Sequence, residues 1–129
     1  MIADLHIHSR YSRATSQDMT IPKIAEYAKI KGIGLVGSGD FTHPGWLREL
    51  KEYLVFKDGV YEYNGVRFVL SVEVNNIYTK AGKLRRVHNI IFAPDFEIAE
   101  KINKYLGRYG KLEADGRPTL SLASDEMLK

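Results

Sequence analysis

Apolar residues repeat with a helical period in three segments of this chain. Thr20 can cap the first of these helices, Pro22 suits its first turn and Gly32 ends it. The spacing predicts an amphipathic helix over residues 21–31, a second helix after Gly45 and a third over residues 95–106. The apolar positions that predict these helices are Ile21, Ile24, Ala25 and Ala28; Trp46, Leu47, Leu50 and Leu54; and Phe96, Ile98, Ala99, Ile102 and Leu106.

The segments between the predicted helices have the alternating or continuous apolar pattern of β-strands. Asn64-Gly65 is a hairpin-type turn, and a second excursion over residues 77–86 turns at Ala81-Gly82. Pro94 ends the last apolar run. The predicted strands cover residues 2–8, 34–38, 60–63, 66–74 and 87–93.

The order strand, helix, strand, helix, elaborated hairpin, strand, helix is typical of an α/β chain with a parallel sheet or barrel. A length of 129 residues indicates one domain. The tail over residues 111–129 is less periodic, and Ser124-Asp125-Glu126 has the pattern of a helix start near the end of the sequence. We therefore expect the chain to stop within an element.

The composition limits which metal ligands and partners the chain can have. The chain has no cysteine, which excludes a disulfide framework and a thiolate metal site, so any metal must be held by nitrogen and oxygen. The net charge of +3 is compatible with a phosphate-bearing partner. The first residues lack the apolar core of a signal peptide, and no apolar run approaches the length of a membrane span. We expect a cytoplasmic protein without a membrane partner.

His6 and His8 lie at the end of the first predicted strand. Alternation along a strand puts both rings on one face together with Asp4, and two such imidazoles can hold one metal ion or flank two. The alternative is a pair of exposed polar positions.

Other candidate ligands also follow or end predicted strands. Asp40 and His43 come after the second strand; alternatively, Asp40 caps a helix and His43 is a loop residue. Glu73 lies within a buried run and needs a cation or a salt bridge, and His88 is a ligand or an ordinary strand histidine. Strand ends collect at one edge of such folds. Together these residues predict a nitrogen and oxygen cluster for two or three zinc, manganese or iron ions.

The chain resembles the polymerase and histidinol phosphatase (PHP) superfamily of metal-dependent phosphoesterases, and within it most resembles the N-terminal part of the PHP domain of archaeal endonuclease Q. The resemblance implies a distorted seven-stranded, TIM-like β/α barrel, of which residues 1–129 would be a single partial PHP domain. The motifs that carry it are Asp4-Leu5-His6-Ile7-His8-Ser9 with Tyr11-Ser12, Gly39-Asp40-Phe41-Thr42-His43-Pro44, Val72-Glu73-Val74 and Val87-His88-Asn89.

The resemblance also implies roles in a centre of two or three divalent metals, whether zinc, manganese, magnesium or iron. In this reading Glu73 bridges two metals and, with Asp40, is catalytic. Asp18 is the nearest acidic candidate for a ligand after the first motif, and the superfamily's later histidine motifs have no match. The implied metal ligands are His6, His8, Asp40, His43, Glu73, His88 and, at a non-matching position, Asp18.

The implied reaction is hydrolysis of a DNA phosphodiester beside uracil, hypoxanthine, xanthine or an abasic site. Lys83, Arg85 and Arg86 would hold the DNA backbone, unless they are only the solvated edge of a hairpin. Two alternatives remain open: a small-molecule phosphatase of the histidinol-phosphatase type, and a truncated, non-catalytic metal-binding module. A second chain that completes the barrel is a further expected partner.

Overall fold

The apolar segments form a mixed sheet with helices packed against it. The computed structural model describes residues 2–13 and 15–122. Its elements are β1 (Ile2–Asp4), α1 (Ile21–Lys31), β2 (Ile33–Gly37), α2 (Pro44–Tyr53), β3 (Val55–Lys57), β4 (Val60–Tyr63), β5 (Val66–Lys80), β6 (Lys83–Ala93), α3 (Phe96–Leu106), a short 3-10 helix (Leu112–Ala114) and β7 (Thr119–Leu120).

The seven strands are organised around β5, which has 15 residues. Its first part pairs in parallel with β2, which in turn pairs in parallel with β1, and it pairs antiparallel with β4, which carries β3. Its second part pairs antiparallel with β6 and in parallel with β7. The predicted α/β class is confirmed as a seven-stranded sheet with three helices; closure into a barrel stays a prediction.

The three predicted helices are confirmed. In α1 the four apolar positions that defined the pattern are buried, and Gly32 ends the helix in the left-handed conformation with φ of 71°. In α2 Trp46 and Leu50 are buried, and in α3 Ala99 and Leu106 are buried. None of the helices in the described part of the chain is long and apolar enough to cross a membrane.

The first strand is shorter than predicted. It ends at Asp4 instead of reaching residue 8, because the chain then passes closely over the end of β2. A Cβ atom on Gly37 would lie 2.6 Å from the Leu5 carbonyl oxygen, and one on Gly39 would overlap the carbonyl oxygen of Ile7. These two glycines therefore allow an irregular segment that carries His6 and His8 across the sheet edge.

Two strands and the full length of the second hairpin were not predicted. The strands β3 and β7 have three and two residues, which is too short for a periodic signal. The predicted segments 66–74 and 77–86 are parts of one longer hairpin, in which β5 and β6 pair continuously from Leu70 and Ala93 to Lys80 and Lys83. The predicted helix start at Ser124-Asp125-Glu126 lies outside the described residues.

Candidate metal centre

The two faces of the β5–β6 hairpin differ in character. Directly paired residues of antiparallel strands share a face. Leu70, Val72 and Val74 point to the core side and are completely buried. The opposite face, here called the site face, carries the pairs Ser71 and Phe92, Glu73 and Ile90, Asn75 and His88, and Ile77 and Arg86.

Glu73 is the meeting point of three histidines. Its Oε1 lies 3.2 Å from His6 Nε2 and 3.0 Å from His8 Nε2, and its Oε2 lies 3.3 Å from His88 Nδ1. His6 and His8 come from the irregular segment after β1, whereas Glu73 and His88 come from the hairpin. The tertiary structure thus brings together four of the residues that the sequence singled out.

The geometry suits a metal ion. Ligand atoms of His6, His8 and Glu73 all lie within 4.8 Å of one another. The two imidazole rings are 5.3 Å apart between centroids and inclined at 76°, so their planes converge from different directions. Imidazole nitrogen and carboxylate oxygen are ligands for zinc, manganese and iron.

The charge on Glu73 is supported by these rings. Burial alone would raise the pKa of its carboxyl group, but the contact with His6 and the charges of His6, His8 and His88 outweigh burial and hold the pKa below its ordinary value. Glu73 is therefore ionised near neutral pH and available as an anionic ligand.

Asp40 lies behind His8, away from the converging ligand atoms. Its side chain is completely buried and accepts hydrogen bonds from Ser9 N at 2.6 Å, from the Ser9 hydroxyl group and from Ser12 Oγ at 2.9 Å. Its Oδ1 lies 3.4 Å from His8 Nδ1. In metal sites, a carboxylate in such a position commonly orients a ligating imidazole ring.

The contacts of His8 bear directly on whether a cation fits. With Nδ1 directed at Asp40, the Nε2 atom of His8 faces Glu73 Oε1, 3.0 Å away. An imidazole nitrogen and a carboxylate oxygen at this distance need a proton or a cation between them. A metal ion in this position would satisfy both atoms.

His43 and Asp18 are placed elsewhere. His43 is the N-cap of α2: its Nδ1 accepts a hydrogen bond from Gly45 N at 3.0 Å, and its ring stacks on Tyr11 at 4.3 Å. Burial lowers the pKa of His43. Asp18 is an exposed loop residue whose backbone N–H donates to Ser16 Oγ. Among residues 2–13 and 15–122, neither joins the group around Glu73.

The three basic residues predicted to hold DNA do not share one face. Arg86 pairs with Ile77 and lies on the site face, two positions from His88. Arg85 pairs with Tyr78 and Lys83 pairs with Lys80, which puts both on the other face. All three are exposed. Of these three residues, Arg86 alone is therefore placed to reach a molecule that is bound at Glu73.

A cleft of about 210 Å³ adjoins the histidines and reaches into the tail of the chain. The basic residue Arg117 in this cleft was not predicted from the sequence, because residues 111–122 have no periodic pattern. The available signal was the turn sequence Asp115-Gly116-Arg117-Pro118, whose glycine and proline indicate a specific backbone path. The lining residues are Arg13, Glu73, Asn75, His88, Asp115, Arg117 and Thr119.

The chain is similar to solved and curated proteins. Its similarity is to lesion-specific endonucleases of the PHP superfamily, which confirms the resemblance inferred from the motifs. It matches the crystal structure of endonuclease Q from Pyrococcus furiosus with a TM-score of 0.86 and 42% identity, over 97% of this chain and the N-terminal 30% of that chain. A second solved structure matches with the same values, and there endonuclease Q is bound to a 27-mer duplex substrate with an abasic lesion at the active site.

A curated relative is an uncharacterized protein of Methanocaldococcus jannaschii, which is 36% identical over 127 residues. This match covers 98% of the present chain and 14% of the relative. The chain therefore spans less than a third of each protein that it matches here. No protein-family profile matches it.

Proposed function

We propose that this chain is the N-terminal part of a metal-dependent DNA repair endonuclease. The observation that carries the proposal is the convergence of three imidazoles on the Glu73 carboxylate, at 3.0 to 3.3 Å, in a chain that is 42% identical to a lesion-specific endonuclease. The proposed ligands are His6, His8, Glu73 and His88.

The donor set favours zinc, manganese or iron over magnesium, because imidazole dominates it. With Glu73 offering one oxygen to His6 and His8 and the other to His88, the group has ligands for two ions, and a third requires residues beyond this group. When bound, such ions activate a water molecule and neutralise charge on a phosphate group.

The chain's own residues have distinct tasks in this proposal. Glu73 holds the two sides of the centre together, since its two oxygens face different histidines. Asp40 is a positioning residue: it keeps His8 Nδ1 occupied so that Nε2 points into the centre. His43 orients the start of α2 through Gly45 and supports Tyr11 from outside the centre.

The proposed substrate is a DNA strand with a deaminated base or an abasic site. Endonuclease Q, which is 42% identical to this chain, has been solved with a duplex substrate that carries an abasic lesion, and this supports DNA over a small phosphate monoester. In the described part of the chain, the side chains of His6 and His88 at the centre are 53% and 61% exposed. Selection of the lesion would require the damaged nucleotide to leave the stack.

Part of the site face remains uncovered. Ile90 and Phe92 lie there with 40% and 45% exposure. We expect further strands of the barrel to cover them, contributed by the rest of a longer protein or by a second copy of the chain. Sedimentation of the purified 129-residue chain distinguishes the two: a dimer supports completion by a second copy, and a monomer supports the longer protein.

The test is strand incision by the protein with each divalent metal added in turn. Duplexes with one uracil, hypoxanthine, xanthine or abasic site are compared with an undamaged duplex and with a small phosphate monoester. We expect incision at a lesion, and none with Glu73→Gln. The exposed Glu97 provides the matched control, Glu97→Gln. Turnover of the monoester without DNA incision would indicate the phosphatase, and bound metal without either activity would indicate a non-catalytic module.

A further inference from the structure

The turn Asp115-Gly116-Arg117-Pro118 is held against the candidate metal centre at both ends. At one end, Gly116 N donates to the Tyr11 carbonyl oxygen at 3.0 Å. A Cβ atom on Gly116 would overlap the Asp40 carboxylate and lie 2.6 Å from Ser12 Oγ. The backbone of this turn therefore packs directly on the group that orients His8.

At the other end, the turn is hydrogen-bonded to the strand that carries Glu73. Asn75 N donates to the Pro118 carbonyl oxygen at 2.9 Å, and β7 continues this pairing from Thr119. Arg117 is thus fixed between the Asp40 side and the Asn75 side of the centre. The two hydrogen bonds set the backbone of Arg117 beside the centre, and its side chain lines the same cleft as Glu73 and His88.

Arg117 has a charge without a carboxylate partner in the described residues, 2–13 and 15–122. Asp115 is occupied by the neighbouring arginine, since its Oδ2 lies 3.3 Å from Arg13 Nε. Asp115 Oδ1 accepts the backbone N–H of Arg117 at 2.9 Å. Within residues 2–13 and 15–122, one side-chain hydrogen bond is found for Arg117, from its Nη2 to the Arg13 carbonyl oxygen at 3.0 Å. The other guanidinium N–H groups have no partner in that part of the chain and can reach a ligand.

A second observation in the same cleft points to a ligand. The side-chain oxygen of Asn75 is buried and has no hydrogen-bond partner among the described residues. A buried polar atom without a partner is costly, so such an atom usually faces a water molecule or a bound group. The cleft volume of about 210 Å³ equals that of several water molecules and is large enough for a phosphate group.

We infer that this cleft is a phosphate-binding subsite beside the metal centre, in which Arg117 holds a phosphate of the DNA strand next to the one at Glu73. The inference rests on the proposed function, because it assigns the neighbouring phosphate of the same substrate. Arginine presents a planar fork of donors that matches phosphate oxygens, which makes it suited to fix the register of a strand. The Asn75 side-chain oxygen accepts a hydrogen bond from a water molecule bound in the subsite.

The experiment measures binding of a duplex with one abasic site by fluorescence anisotropy over a range of salt concentrations. The duplex carries phosphorothioate linkages, which slow its cleavage during the titration. The protein is loaded with metal. We expect Arg117→Gln to weaken binding about tenfold, as for loss of one charge-assisted contact, and to reduce the salt slope by about one. Metal content and the unfolding midpoint should not change. The exposed Arg108 supplies the matched control, Arg108→Gln, which should behave as the unmodified protein.

Arg117→Lys separates phosphate binding from support of the turn. Lysine keeps the charge but lacks the fork, so we expect an intermediate affinity with the original salt slope. Inorganic phosphate should compete with the duplex less effectively in Arg117→Gln. The inference is wrong if the protein incises lesion DNA while Arg117→Gln and Arg108→Gln bind alike. If the unmodified protein neither binds nor incises such DNA, the proposed function itself is wrong.

Discussion

The regions around Asp40 and Glu73 contain the two carboxylates that contact His8, and they are built in opposite ways. Asp40 is buried in the interior, where the Ser9 backbone N–H and the hydroxyl groups of Ser9 and Ser12 donate to it. Glu73 faces imidazole rings at a partly open surface. His8 joins them, with Nδ1 toward Asp40 and Nε2 toward Glu73.

The two carboxylates differ in whether their partners can be exchanged: those of Asp40 cannot, and those of Glu73 can. The donors around Asp40 are fixed by the fold and satisfy its charge without help from solvent or ligand. The partners of Glu73 are side chains that can bind a proton or a metal ion in turn. In the proposed centre, the Asp40 region would therefore set the geometry and the Glu73 region would bind the metal. Substitutions in the two regions should therefore differ in their effects on stability and on metal affinity.

Glu73→Ala should abolish metal binding while the protein stays folded. The substitution removes both ligand oxygens and leaves His6, His8 and His88 without a shared partner. Elemental analysis of purified protein should find metal in Glu97→Ala and essentially none in Glu73→Ala. Retention of metal by Glu73→Ala would contradict its assignment as the shared ligand.

Asp40→Ala should destabilise the fold by about 3 kcal/mol or more, because it leaves buried donors of Ser9 and Ser12 without an acceptor. Urea unfolding with chelator present measures this loss apart from metal binding. Asp40→Asn should fold better and weaken metal binding by about 10- to 100-fold, as expected for a group that orients a ligand. If Asp40→Asn instead loses all metal at unchanged stability, Asp40 is a direct ligand, as the sequence motif predicts.

Gly116→Ala should cost about 2 kcal/mol, because its methyl group has to displace Asp40 or Ser12. Metal affinity should fall as well, since Asp40 positions His8. Gly82→Ala provides a contrast: its φ of 75° is strained for alanine, but no atom lies within 4 Å of the added Cβ. It should lose about 1 kcal/mol of stability and no metal affinity. Equal metal affinity in the two variants would mean that packing at Gly116 does not affect the metal centre.

Arg86→Ala should weaken binding of lesion-containing duplex several-fold and reduce its salt dependence, because Arg86 lies on the site face. Arg85→Ala, one residue away on the other face, is the matched control and should have a smaller effect. Anisotropy titrations at two salt concentrations measure both. Equal losses would mean that DNA contacts both faces of the hairpin, in agreement with the role that the resemblance implies for Arg85 and Arg86.

Tyr61→Phe should have the smallest effect, about 1 kcal/mol, through loss of the hydrogen bond from Phe96 N to the Tyr61 hydroxyl oxygen at 2.9 Å. Burial raises the pKa of Tyr61. The contribution of the neutral Tyr61 side chain to the free energy of unfolding is therefore complete below the unfolded pKa of about 10. It is lost as the pH rises through the higher pKa of the folded state. Denaturant unfolding at pH 8 and above pH 10 should show a narrowing gap between the two proteins. A difference in stability that grows with pH would contradict the upward shift of the Tyr61 pKa on folding.

Local pattern was sufficient to predict the helices and the first hairpin. Apolar spacing defined α1 and α3 nearly to the residue, and Asn64-Gly65 marked the turn between β4 and β5. These features depend on neighbours in sequence, so they are readable there. The early end of β1 could not be predicted from the sequence. It depends on how closely the segment after Asp4 approaches Gly37 and Gly39, which are distant in sequence.

The sequence by itself determined which chemistry is available: histidine and carboxylate ligands, no cysteine, and motifs that identify the endonuclease resemblance. Only the tertiary structure decided which of those residues meet. It grouped His88 with His6 and His8 around Glu73, placed Asp40 behind His8 and His43 on α2, and brought Arg117 from the tail beside them. The physical reason is that these contacts join residues far apart in sequence, and their distances are set by strand pairing and core packing.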